Sequence, residues 1–193
     1  GLPGARAFFC NSGAEANENA MRIARCVTGR AKVVAAEGGF HGRTAAAIAA
    51  TGLKYRKGLS GLGSDIVHVP FGDLPAAEKA LDGAAAFLLE PIQSVQGATT
   101  ATGEYLCGLA ALCEKNGSLL IFDEVKTGFR HAFGGYAAIA GVRPDLVVYG
   151  KAVANGFPLA IVGGRRDYLD WFVHPDSSNR VLAAGTYNGH PVP

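Results

Sequence analysis

No charge of one sign dominates this sequence. Its 18 lysines and arginines stand against 16 aspartates and glutamates, a formal net charge of +2, and the basic residues are scattered. So even a spread leaves no basic footprint for nucleic acid and none for an anionic membrane surface. Long apolar runs are missing too. The longest, Ala84–Leu89 and Leu119–Phe122, fall far short of the roughly 20 residues that cross a bilayer. No charged segment followed by an apolar stretch opens the chain, so nothing in it argues for secretion. Cysteine is sparse and unpatterned: Cys10, Cys26, Cys107 and Cys113 show neither CxxC spacing nor a paired histidine motif. That argues against a disulfide framework or a zinc site and fits the reduced thiols of a cytoplasmic protein. Methionine occurs once, at Met21, and the chain opens at Gly1 and stops at Pro193 inside what reads as a running domain. The expectation is a fragment.

What is present is the composition of one globular domain: 193 residues, 49% hydrophobic and 18% charged. Short apolar runs alternate with longer amphipathic segments, which predicts an α/β fold with a mainly parallel sheet. Strands are expected at Ala7–Cys10, Lys32–Ala36, Ile66–Val69, Ala85–Leu89, Leu119–Phe122, Leu146–Tyr149 and Leu159–Gly163. Helices are expected at Gly13–Val27, Arg43–Ala50, Leu74–Leu81, Glu104–Asn116 and Asp167–Phe172. The unbroken hydrophobicity of "AFLLE" and "LLIFDE" predicts strands covered on both faces.

Glu90, the Asp123-Glu124 pair and Lys151 each fall at the carboxyl end of an expected strand, where open α/β sheets bind ligands. Lys151, in "LVVYGKAVANG", admits three readings: a phosphate grip, a covalent anchor or a strand cap. The phosphate loop fails, because Ala152 stands where the magnesium-binding hydroxyl belongs and Asp145 where the first glycine belongs. "GLSGLG" at Gly58–Gly63 fails as a dinucleotide fingerprint because it precedes a strand instead of opening a helix. Apolar and small neighbours on both sides of Lys151 predict a desolvated amine, the kind that forms a Schiff base with an aldehyde. A pyridoxal phosphate site would need three more parts: an anion cradle, an acid for the pyridine nitrogen and flat apolar surfaces. Ser12-Gly13-Ala14-Glu15 reads as a capping box whose free amides and positive dipole end suit a phosphate, or simply as a capped helix. Asp123 reads as the acid or as a turn cap. Phe40 and Val125 read as ring-facing surfaces or as packing.

In this order the stretches "NSGAEANENAMRIAR", "FHGRTAAAIAATG", "LLEPIQ", "LLIFDEVKTGFR", "PDLVVYGKAVANG" and "AGTYNGHP" resemble the class III aminotransferases over essentially the whole chain. The resemblance implies the three-layer large domain of the aspartate-aminotransferase fold (fold type I), incomplete, with residues 1–193 as its cofactor-binding part. It implies pyridoxal 5′-phosphate as cofactor and Lys151 as the Schiff-base lysine. By the same resemblance Gly13 and Ala14 hold the phosphate, with Ser12 capping the turn. Phe40 and Val125 face the ring, Asp123 meets the pyridine nitrogen, and Thr186 reaches the phosphate of the neighbouring subunit of a homodimer. Glu90 and Gln93 line the same side, and His41 is a packed or hydrogen-bonded neighbour. The activity implied is transfer of an amino group from a small amino donor to a 2-oxo acid or aldehyde. Alternatives are a 2,1-aminomutase similar to glutamate-1-semialdehyde 2,1-aminomutase, or a cofactor-binding fragment without turnover. Two departures stand out. Val95 replaces a glutamate in "EPIQSVQGA", and Lys126 stands where many members carry glutamine, free to serve the cofactor's phenolic oxygen, bind an acidic substrate or point away.

Overall fold

A computed structural model describes residues 4–59 and 61–192. Residues 1–3 and 193 of the expected domain, and position 60 within "GLSGLG", lie outside the described residues. Seven strands form one sheet: β1 (Arg6–Cys10), β2 (Val33–Ala36), β3 (Ile66–Val69), β4 (Ala86–Leu89), β7 (Leu119–Asp123), β8 (Leu146–Tyr149) and β9 (Ala160–Gly164). A separate two-stranded ribbon joins β5 (Ile92–Gln93) to β6 (Thr99–Thr100). The sheet order is β1-β9-β8-β7-β4-β2-β3. All pairings are parallel except those of β9, which runs antiparallel to both β1 and β8.

The helices are α1 (Gly13–Thr28), α2 (Ala45–Ala50), α3 (Leu74–Leu81), α4 (Gly103–Asn116), α5 (Gly135–Ala140) and α6 (Arg166–Leu169). Side chains alternate across each strand, so the sheet divides the core in two. One face packs Val33, Ala35, Leu88, Ile121 and Val148 against Ala16, Ala20, Met21 and Ala24 of α1. The other packs Val34, Phe87, Leu89, Leu120 and Phe122 against α3 and α4 through Ala77, Leu81, Leu106 and Leu109. The result is the expected three-layer sandwich, with its central strands buried on both faces.

The differences from expectation are local. The Arg43–Ala50 helix begins only at Ala45, after Thr44 in extended conformation. The Asp167–Phe172 helix is four residues of α6 followed by a 3-10 turn at Asp170–Val173, which lays Phe172 on Phe8 with ring centroids 4.3 Å apart. Short elements such as β5, β6 and α5 carry too few residues to show a period, and the sequence pattern does not reveal them.

Candidate active site

The parallel strands β1, β2, β4, β7 and β8 all end at the same edge of the sheet, and the side chains of interest gather there. Ser12, Gly13 and Ala14 follow β1; Phe40 and His41 follow β2; Asp123 closes β7; and Lys151 lies two residues beyond β8. Together with Asn11, Asn17, Gly42, Val125, Phe157 and Leu159 they line one cavity of about 290 Å³. That lies near the lower end of the range for small-molecule sites. A larger cleft of about 690 Å³ lies at the start of β7, among Arg30, Leu119, Asp145 and Arg165. It holds none of these groups.

The cradle is set by α1. Ser12 is extended and its hydroxyl accepts the Glu15 N–H at 3.3 Å, as a capping box requires. The Glu15 carboxylate reaches one residue further back than the motif predicts, to the Asn11 N–H at 2.8 Å. Among the described residues the Gly13 and Ala14 N–H groups have no acceptor, and both residues line the cavity. Such a pair at the positive end of a 16-residue helix is suited to an anion. Glycine is required at position 13, because an added Cβ would lie 2.8 Å from a Val125 methyl.

Asp123 is the most constrained group. Its Oδ2 accepts from Asn17 Nδ2 at 2.8 Å and from His41 Nδ1 at 2.7 Å, and its Oδ1 accepts from the Val125 N–H at 3.0 Å. Burial alone would raise its pKa. The His41 hydrogen bond and charge, with the Val125 and Asn17 bonds, overcome that and hold it below the ordinary carboxylate value. A buried, ionised aspartate whose Oδ1 has a single donor can accept from a further one. Asn17 also ties this centre to the Phe40 loop, donating to the His41 carbonyl at 2.8 Å.

Lys151 has positive φ (+46°), a left-handed conformation uncommon for a side-chain-bearing residue. The expected desolvation of Lys151 is partial, because the residue keeps considerable exposure to solvent. Partial burial still lowers its pKa, helped by the charge of Lys126 and opposed by Asp123 and Glu90. Glu90 is buried, and burial followed by the Asp123 charge raises its pKa. Lys126 does not point away: its ammonium pairs with Glu90 Oε2 at 2.9 Å. Gln93 is buried and donates to the Glu37 carbonyl at 2.7 Å, bracing the Phe40 loop outside the cavity. Thr186 lies on an exposed turn and does not line the cavity of its own chain.

Sequence reasoning overlooked Asn17, Phe157 and Leu159, and it placed Glu124 at the strand end beside Asp123 without seeing what it binds. Asn17 is the residue of "NSGAEAN" one helical turn past Gly13, so its position was readable from the period of α1. Glu124 is fully buried, accepts from the Tyr136 and Ala137 N–H groups, and thereby caps α5. Its partners are 12 and 13 residues away, and no local pattern signals them.

Comparisons with known proteins show the family of the chain. The Aminotransferase class-III family model matches residues 1–193. Acetylornithine aminotransferase of Streptomyces clavuligerus is 42% identical over 197 residues, spanning 100% of this chain and 47% of that protein. Glutamate-1-semialdehyde 2,1-aminomutase of Symbiobacterium thermophilum is 39% identical over 203 residues, spanning 97% and 45%. Among solved structures, an omega-transaminase from Sphaerobacter thermophilus superposes with a TM-score of 0.88 at 29% identity, covering 99% of this chain and 48% of its own. A transaminase with PLP bound matches at 0.86 and 28% identity, covering 97% and 46%. This chain belongs to the class III aminotransferase family. It spans less than half the length of the relatives it matches.

Proposed function

We propose that the full-length protein is a pyridoxal 5′-phosphate-dependent transaminase and that the cavity at the strand ends holds its cofactor. One observation carries the reading: an amine (Lys151), an ionised buried acid (Asp123) and two acceptor-free helix N–H groups (Gly13, Ala14) line a single cavity. This donor set fits the cofactor's aldehyde, ring nitrogen and phosphate, and Phe40 and Val125 supply apolar walls for its ring. When bound, the cofactor supplies an aldehyde for covalent attachment and a ring that accepts electrons.

The chain's own residues do the rest. The Gly13 and Ala14 amides hold the phosphate, with the α1 dipole behind them. Asp123 would keep a proton on the ring nitrogen through a charge-assisted hydrogen bond, worth roughly 1.5–3 kcal/mol. His41 and Asn17 orient that carboxylate and keep it ionised. Lys151 Nζ would hold the cofactor's aldehyde, and as a free amine it would take and return a proton at the donor's amino-bearing carbon.

The reading includes a homodimer, in which the exposed Thr186 reaches the phosphate site of the neighbouring copy. It also includes a cytoplasmic setting, supported by four unpaired cysteine thiols. Among the described residues no helix is long and apolar enough to cross a membrane. The aminomutase relatives support a second reading, movement of an amino group within one molecule. Incubation of the full-length protein with one 15N-labelled amino donor and a panel of 2-oxo acids separates the two. Transaminase activity delivers the label to an acceptor with ping-pong kinetics. A mutase yields no intermolecular product.

A further inference from the structure

We infer that the Glu90–Lys126 ion pair is a positioning hub that fixes the spacing of the two apolar walls, Phe40 and Val125, on either side of the cofactor ring. The inference rests on the cofactor reading above, and extends it to a pair peculiar in its lysine. One oxygen of Glu90, Oε1, accepts the backbone N–H of Phe40 at 2.7 Å. The other, Oε2, accepts from Lys126 Nζ at 2.9 Å. Lys126 directly follows Val125, whose own N–H is bound to Asp123 and whose methyls leave no room for a Cβ at position 13. A single buried carboxylate therefore stitches the loop after β2 to the loop after β7. Lys126 also stands 5.3 Å from the centroid of the Phe40 ring, and Tyr55 packs edge-on against that ring at 5.3 Å. Phe40 is thus held through its backbone and its ring.

Burial makes the pair a unit. The Glu90 side chain is 2% exposed and that of Lys126 21%. Removing the lysine alone leaves a buried carboxylate with one amide for company, whereas neutralising both partners leaves a hydrogen-bonded amide pair. The two changes should therefore have opposite outcomes. That contrast separates a hub from a lysine used on substrate.

The test begins with hydrogen exchange in the cofactor-free full-length protein, so that it does not depend on the proposed activity. In K126M the Glu90 carboxylate, left without its cation, should turn toward water and release the Phe40 amide, which should then exchange about tenfold faster or more, the scale of losing a bond to a charged acceptor, while Ile121 in β7 keeps its protection. In E90Q/K126Q the Phe40 amide should regain most of its protection. Pyridoxal 5′-phosphate added to the same proteins should bind about tenfold more weakly to K126M, with a diminished circular-dichroism band from the bound ring, and recover in the double variant. Unchanged Phe40 exchange in K126M overturns the hub, as does a double variant no better protected than the single one. A raised KM for acidic substrates with normal Phe40 exchange would also overturn it, assigning Lys126 to substrate instead. If K126M does not fold, the double variant decides: folded protein with a protected Phe40 amide supports the hub, and an unfolded one refutes it. Failure of wild-type protein to bind the cofactor would refute the cofactor reading while leaving the exchange result standing.

Discussion

At Lys151 the backbone enters the left-handed region, where a Cβ is crowded, immediately after the extended Gly150. A non-glycine residue held there is typical of sites where geometry outweighs local preference, and it sets where the amine emerges. The amine's lowered pKa has a direct kinetic meaning. Only the neutral form attacks an aldehyde, and a depressed pKa leaves more of it neutral at any given pH. The rate at which cofactor-free protein combines with pyridoxal phosphate should therefore rise with pH and level off below the ordinary lysine value of 10.5. A midpoint at or above that value in stopped-flow absorbance would contradict the assignment. Asp123 yields a second prediction. Asp123→Asn keeps the shape but loses the charge that favours a protonated ring nitrogen, and each pKa unit lost there is about 1.4 kcal/mol. The mutant should retain cofactor yet transaminate on the order of 10²–10³-fold more slowly, as when one preorganised electrostatic partner is removed. Single-turnover rates near wild type would dismiss the role. Lys151 and Asp123 were legible in the sequence because each ends an apolar run. The His41–Asp123 contact was not, since 82 residues separate the partners.

The first turn of α1 carries the proposed phosphate cradle. Its Ser12 cap, its free amides and its tight approach to Val125 occupy three consecutive residues, Ser12 to Ala14. Gly13→Ala places a Cβ 2.8 Å from Val125, a β-branched side chain with little freedom to move. Overpacking of this kind costs about 1–3 kcal/mol. Melting by calorimetry should fall by roughly 2–4 °C per kcal/mol lost in a chain of this size. Cofactor affinity should fall with it, because Val125 is pushed toward the ring's place. Unaltered melting and affinity would show that the close approach is not maintained in solution. By contrast Ser12→Ala, which removes the cap alone, should cost about 1 kcal/mol. The α1 period and its cap were readable because both are local. The α5 helix was not, because its N-terminal acceptor is Glu124, brought in from the end of β7.

For the molecule as a whole, the parallel order β8-β7-β4-β2 brings four loops to one edge, and the antiparallel β9 brings Leu159 to the same edge at its start. The alternation of apolar runs and amphipathic segments made the layered architecture legible. Strand order was not, because it depends on pairings between segments distant in sequence, such as β1 with β9. The same architecture leaves Thr186 outside its own chain's cavity, which motivates an assembly test. Thr186→Ala should weaken cofactor binding by about one to two powers of ten without removing the covalent link, the scale of one hydrogen bond to a charged group. Mixing Thr186→Ala chains with Lys151→Ala chains creates hybrids in which one site has both residues intact. Affinity at that site should return toward wild type, and no recovery would place Thr186 within its own chain. The central claim, that Lys151 anchors the cofactor in this cavity, is tested most directly by borohydride reduction of the reconstituted full-length protein, followed by peptide mapping. The cofactor should be fixed to the peptide containing Lys151, with none attached in Lys151→Ala. Attachment at Lys126 or any other lysine would contradict the account.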